Sequence, residues 1–291
     1  ELIEQGIPIF VTSIDPIDLS YDAGMEMAGT WADMIGVDFE HYPFNVVGLA
    51  KFMKGLKDGG PTASGHPTPT VIPTLPSNCI SPEEVIYNAW QVRQVLSAGV
   101  HGILHTHARS SEAVRAFVAT TRYSFQTVGL DEGLREGLRG AGGQLYPAEI
   151  WGMSPEEYVR AADPWPLNPN GELMLGLKIE DRHCLPNADQ IAGTPGICFA
   201  EWGPGDMGYS HGDPEAHDPP YSEVMDNARN IVIKACKKAG LTFFASWEDV
   251  SMTEEEKIRA AMELTGSMVI RTPDPDAAAR VRSDMGRKMP V

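Results

Sequence analysis

The sequence predicts an α/β protein built as a (β/α)8 TIM barrel, and three observations carry that expectation. Short apolar runs alternate with amphipathic stretches about eight times along the 291 residues. The runs are apolar throughout, as strands buried on both faces of a parallel sheet require. No G-x-G-x-x-G or G-x-x-x-x-G-K-[ST] follows any of them, which weakens an open nucleotide-binding sheet. Count and length together favour one closed barrel domain over residues 1–291.

In order, residues 7–14 (IPIFVTSI) read as the first strand and 19–29 as a helix, followed by strand 34–41 and helix 45–56. Strand 70–75 precedes one long amphipathic helix over 82–98, with Gly99 as its C-cap. Strand 102–106 runs into Ser110, Ser111 and Glu112, a helix start for the segment to 122. Residues 123–169 are rich in Gly and Pro and read ambiguously, apart from a short helix begun by Ser154 and Pro155. Alternation resumes with strand 173–180, a helix near 187–192 and strand 197–201. A polar loop is expected at 203–220, then helix 222–239, strand 241–246, helix 253–264, strand 267–271 and a last helix over 274–287.

Forty Asp and Glu against 23 Lys and Arg give a formal charge of -17. Such a body repels phosphate backbones and anionic lipid surfaces, so no nucleic-acid or membrane partner is expected. Most of that charge reads as solvated surface. The four cysteines are scattered without a C-x-x-C pair, which suits reduced thiols and a cytoplasmic setting rather than a disulfide framework or a zinc site.

The functional residues of such barrels sit at strand C-termini. Lys178 and Glu180 lie two apart at the end of an apolar strand, hence on one face, and either pair with each other or serve a ligand. The next strand ends in Gly203-Pro204-Gly205-Asp206, a turn that would hang Asp206 over the mouth beside Glu180; a local turn-capping role is the alternative. Two neighbouring carboxylates need a proton or cation between them, and Mg²⁺ or Mn²⁺ with oxygen ligands is the economical choice. Asp38 and Glu40 share a face, and Asp38 can orient His41 as a general base; a histidine bonded to backbone is the plainer reading. His105 and His107 are expected to share one face of the fourth strand.

In this order the motifs resemble the metal-dependent class II pyruvate aldolases of the HpcH/HpaI type. The D-x-E-H pattern is matched by Asp38, Glu40 and His41, and x-I-E-[TD]-R by the run from Lys178 to Arg182. Asn187, Ile191, Pro195 and Gly196 fit the segment that follows, and Gly203 to Met207 fit G-P-x-D-[LM]. The resemblance implies a homo-oligomeric barrel, trimer or hexamer, that assembles through its terminal helices. It implies Glu180 and Asp206 as ligands of a divalent metal (Mg²⁺, Mn²⁺ or Co²⁺), His41 with Asp38 as the base, and amides near Gly205 and Asp206 on the substrate carboxylate. The reaction implied is cleavage or formation of a 4-hydroxy-2-oxo acid from a 2-oxo acid and an aldehyde through a pyruvate-type enolate. Metal-assisted decarboxylation of an oxaloacetate-like acid, or a non-catalytic barrel, are the alternatives.

The sequence departs from the family pattern in three places. Ile72 stands where an Arg is usual, Ser97 where an Asp is usual, and Lys178 where a Gln is common. Lys178 is therefore expected to take over the stabilising role lost at Ile72. Arg109 is a candidate contact for substrate carboxylate, and Trp202, with Tyr209 and Trp247, a candidate wall for the aldehyde.

Overall fold

The computed structural model describes residues 2–286. One parallel sheet contains β1 (Ile9–Ile14), β2 (Met34–Asp38), β3 (Thr70–Asn78), β4 (Gly102–Thr106), β5 (Pro164–Trp165), β6 (Leu173–Lys178), β7 (Phe199–Glu201), β8 (Thr242–Phe244) and β9 (Val269–Arg271). Hydrogen-bonded neighbours run β4-β3-β2-β1-β9-β8-β7-β6, and β6 pairs back onto β4, which closes eight strands into a (β/α)8 barrel. The two-residue β5 lies beside the start of β6. Each of the eight barrel strands falls on one of the apolar runs of the sequence, because a strand buried on both faces leaves that signature.

Inward-pointing Val11, Met34, Ile72, Leu104, Phe199 and Phe244 fill the barrel. Burying each such side chain contributes about 1.5–3 kcal/mol. Gly176 makes room for them: a Cβ there would lie 2.2 Å from the Phe199 ring. A second, larger apolar layer packs the sheet against the surrounding helices, through residues such as Phe52, Val92, Phe117 and Val232.

The helix starts follow the local chemistry. Asn45, Ser110, Ser222 and Thr253 each accept a backbone N–H from the first turn, and Thr253 forms a full capping box with Glu256. Two expectations change. The 82–98 segment is two helices, Pro82–Tyr87 and Ala89–Ser97, broken at Asn88, whose side-chain amide bonds the Glu84 carbonyl. The 203–220 segment is not all loop: Pro204–His211 is a helix, since Pro204 at its first position is preset for helical φ and Gly212 ends it in the left-handed conformation. The expected last helix runs Pro275–Asp284, and Arg287 lies outside the described residues.

The ambiguous middle contains helices Leu145–Trp151 and Pro155–Ala161, the second with a Ser154–Glu157 capping box. It is tied to the barrel by a buried bidentate pair, Arg122 Nε to Asp163 Oδ1 at 2.6 Å and Nη2 to Oδ2 at 3.0 Å. Among the described residues, no helix is long and apolar enough to cross a membrane.

Candidate active site

At the C-terminal mouth the strand ends bring a compact charged cluster together. Lys178, last residue of β6, places its ammonium 2.5 Å from Glu40 Oε2, 2.8 Å from Glu180 Oε2 and 3.7 Å from Asp206 Oδ2. Glu180 is fully buried, two residues past Lys178 on the same face, as the alternation requires. Its approach depends on Gly203, where a Cβ would sit 2.4 Å from Glu180 Oε2. Asp206 arrives from the first turn of the Pro204–His211 helix, not from an open turn, with Gly205 in the same turn. The helix N-terminus thus presents free amides beside the carboxylates.

Burial pushes the Glu180 carboxyl well above its ordinary value; Lys178 opposes this, while Glu40 and Asp206 reinforce it. Glu201, facing the same space, is also raised by burial, with Lys178 and Arg271 opposing and Glu40 and Asp38 adding to it. Burial alone would lower Lys178, yet Glu180, Glu201 and Glu40 together hold it above its usual range. With Glu201, four carboxylates surround one ammonium, and a divalent cation can offset their mutual repulsion. Oxygens of Glu40, Glu180 and Asp206 and a nitrogen of His107 lie within 4.8 Å of one another, a donor set that fits such an ion.

Asp38 and His41 stand beside this cluster. Asp38 ends β2, and its Oδ1 accepts the amides of Glu40 and His41, which shapes the turn. Its Oδ2 lies 2.8 Å from His41 Nδ1, so the outer nitrogen of a solvent-accessible ring is free to exchange a proton. Beneath the mouth lies a cavity of about 190 Å³, walled by Ile72, Leu104, Phe199 and Phe244 and edged by Asp38 and Arg271. A larger cavity of about 560 Å³ opens near Ile9, Met34 and Met174, at the strand N-termini, away from this chemistry.

The remaining sequence candidates are placed differently from expectation. Lys178 is engaged by two carboxylates rather than open to substrate. Arg109 donates its Nε to Asp181 at 2.8 Å. Burial raises Asp181, but the His107 ring, Arg109 and the His183 amide outweigh it and hold the carboxyl below its usual range. Trp202 is 1% exposed and packs edge-on to Tyr221, which meets Trp247, with the guanidinium of Arg229 over all three rings. That aromatic group encloses the chain's own Arg229, and Tyr209 points to solvent. The shared face expected for His105 and His107 is absent. His105 turns outward, edge-on to Phe117, while His107 reaches the mouth because its φ is +47°.

Residues the sequence reading passed over include Arg271, the last residue of β9, which lines the inner cavity opposite Ile72 and lies over the Phe244 ring. Its signal was available: a charged residue closing an apolar run, in the same position as Lys178 on its own strand.

The sequence profile of the HpcH/HpaI aldolase/citrate lyase family matches residues 83–266. The chain belongs to that family. It is 25% identical over 242 residues to a hydroxypyruvate/pyruvate aldolase of Paraburkholderia phytofirmans, covering 83% of this chain and 80% of that one. A 4-hydroxy-2-oxo-heptane-1,7-dioate aldolase of Klebsiella pneumoniae is 26% identical over 229 residues, covering 76% and 71%. The fold is also that of a solved HpcH/HpaI aldolase/citrate lyase family protein from Burkholderia cenocepacia, at a TM-score of 0.68, 19% identity, and coverage of 96% and 93%. As a member of the HpcH/HpaI aldolase/citrate lyase family, the chain is an enzyme of the lyase type. The matched region holds Arg109, Lys178, Glu180 and Asp206, whereas Asp38, Glu40 and His41 precede it.

Proposed function

We propose that this chain is a divalent-metal-dependent carbon–carbon lyase that cleaves or forms a 4-hydroxy-2-oxo acid through a pyruvate-type enolate. The observation that carries the reading is the convergence of Glu180, Asp206, Glu40 and His107 at the barrel mouth, with the Asp38–His41 pair beside them. Glu180 and Asp206 would hold the ion. When bound, a divalent ion polarises the 2-oxo group and offsets enolate charge. His41, its Nδ1 fixed by Asp38, takes the 4-hydroxyl proton in cleavage and returns it to the aldehyde oxygen in condensation. The amides at Gly205 and Asp206 orient the substrate carboxylate at the helix N-terminus. Lys178 keeps Glu40 and Glu180 in register, and the apolar wall at Ile72 and Phe244 excludes water from the reacting carbons.

The test is coupled detection of pyruvate released from 4-hydroxy-2-oxo acids with Mg²⁺, Mn²⁺ or Co²⁺, with and without chelator. Release should vanish with chelator and in Glu180→Gln, and return with metal only in the wild type. Metal-independent turnover at an unchanged rate would overturn the reading. We also propose one barrel domain over residues 1–291 that works in the cytoplasm and self-associates through its terminal helices, which sedimentation at several concentrations checks.

A further inference from the structure

His107 is the only described residue other than glycine with a positive φ. Strand alternation would send it outward with His105, onto the helix that carries Phe117. A single left-handed step instead turns its ring back over the mouth. That left-handed conformation is strained in a residue with a Cβ. Within the protein its Nδ1 makes no aligned hydrogen bond, only a 3.4 Å contact with Asp181 Oδ2. What surrounds the ring is negative: Nδ1 lies 3.8 Å from Glu180 Oε1 and 3.4 Å from Asp181 Oδ2, and Nε2 lies 3.6 Å from Glu40 Oε1.

The two oxygens of Glu180 are also differentiated. Oε2 faces the Lys178 ammonium, while Oε1 accepts the His107 backbone N–H at 3.2 Å and faces the imidazole. Ligands bonded to one ion at about 2.1 Å lie about 3 Å apart when adjacent and about 4 Å apart when opposite. His107 Nδ1 and Glu180 Oε1, 3.8 Å apart, fall in that range, and the Asp206 carboxylate lies within 4.8 Å of both residues' donor atoms. Glu180 is fully buried, and Oε1, the oxygen turned away from Lys178, is the one that faces His107.

We propose that His107 is a third protein ligand, a nitrogen donor added to the oxygens of Glu180 and Asp206, and that it biases the site from Mg²⁺ toward Mn²⁺, Co²⁺ or Zn²⁺. The proposal rests on the metal site of the function proposed above. Imidazole bonds these transition ions well and Mg²⁺ poorly, so the backbone strain at residue 107 is offset only when the ion is of the former kind.

The experiment reads ligation directly rather than turnover. Full-length protein loaded with Mn²⁺ is measured by pulsed electron paramagnetic resonance for coupling to a directly bound nitrogen. Coupling should appear in the wild type and persist in His41→Ala. It should vanish in His107→Ala and in His107→Gly, the second of which accepts the left-handed backbone without strain. Calorimetry should show Co²⁺ affinity falling by more than about tenfold in both His107 variants, with Mg²⁺ affinity changed by less than about threefold. Mn²⁺ bound without nitrogen coupling, or coupling that survives loss of His107, overturns this proposal and leaves the proposed lyase standing. A wild-type chain that binds none of these ions overturns both.

Discussion

Replacing Lys178 with Met removes the ammonium that lies 2.5 Å from Glu40 and 2.8 Å from Glu180 while keeping most of the side-chain volume. Both carboxylates are largely or wholly buried, and breaking a buried pair from one side costs about 3–5 kcal/mol. An unfolding entropy of about 2.1 cal/mol/K per residue gives roughly 0.6 kcal/mol/K for a chain of this size, so the metal-free variant should melt about 5–8 °C below the wild type. A divalent ion at a hundred times its Kd would restore about 2.7 kcal/mol, or 4–5 °C. The gain on adding metal should be larger in the variant than in the wild type, because the ion no longer shares the carboxylates with an ammonium. Differential scanning calorimetry in chelator and then in Mn²⁺ measures both quantities. A metal-free Lys178→Met protein melting within about 1 °C of the wild type would refute the account of Lys178 as the cluster's internal counter-charge.

Arg271→Leu should raise the KM for an anionic 2-oxo acid at least about tenfold with the fold intact, the worth of one charge-assisted hydrogen bond of about 1.5–3 kcal/mol; steady-state kinetics with circular dichroism decides it. Asp163→Asn leaves the guanidinium of fully buried Arg122 without its carboxylate and should destabilise the barrel by about 3–5 kcal/mol, read by urea unfolding, whereas loss under about 1 kcal/mol would show the pair to be dispensable. Burial pushes His105 down to about 3 from an ordinary value of 6.5. A depressed folded value means that its contribution is whole above pH 6.5 and is lost as pH falls toward 3, at about 1.4 kcal/mol per pH unit. Between pH 7.5 and 5.2, still above the isoelectric point near 4.8, the wild type should therefore lose about 2 kcal/mol more than His105→Leu. Equal losses in chemical denaturation at the two pH values would count against a buried neutral imidazole.

Much of the site was legible because strand ends are marked twice in sequence. An apolar run stops, and the first charged residues after it belong to the mouth. Lys178, Glu180 and Asp38 were found that way, and Arg271 was findable by the same sign. Period-two alternation correctly put Lys178 and Glu180 on one face. It misplaced His107, because alternation assumes extended backbone and one left-handed residue reverses the direction of a side chain.

The sequence by itself determined the eight strands, most helix starts and which charged residues follow the strand ends. These are local matters, set by hydrophobic period, capping hydroxyls and the residue types that end a strand. Only the tertiary structure decided who neutralises whom. Glu40 lies 138 positions from Lys178, Arg109 lies 72 from Asp181, and Arg122 lies 41 from Asp163. Barrel closure through β4 and β6 makes such residues neighbours. The electrostatic work of a buried charge depends on those neighbours and on exclusion of water, neither of which has a local signature along the chain.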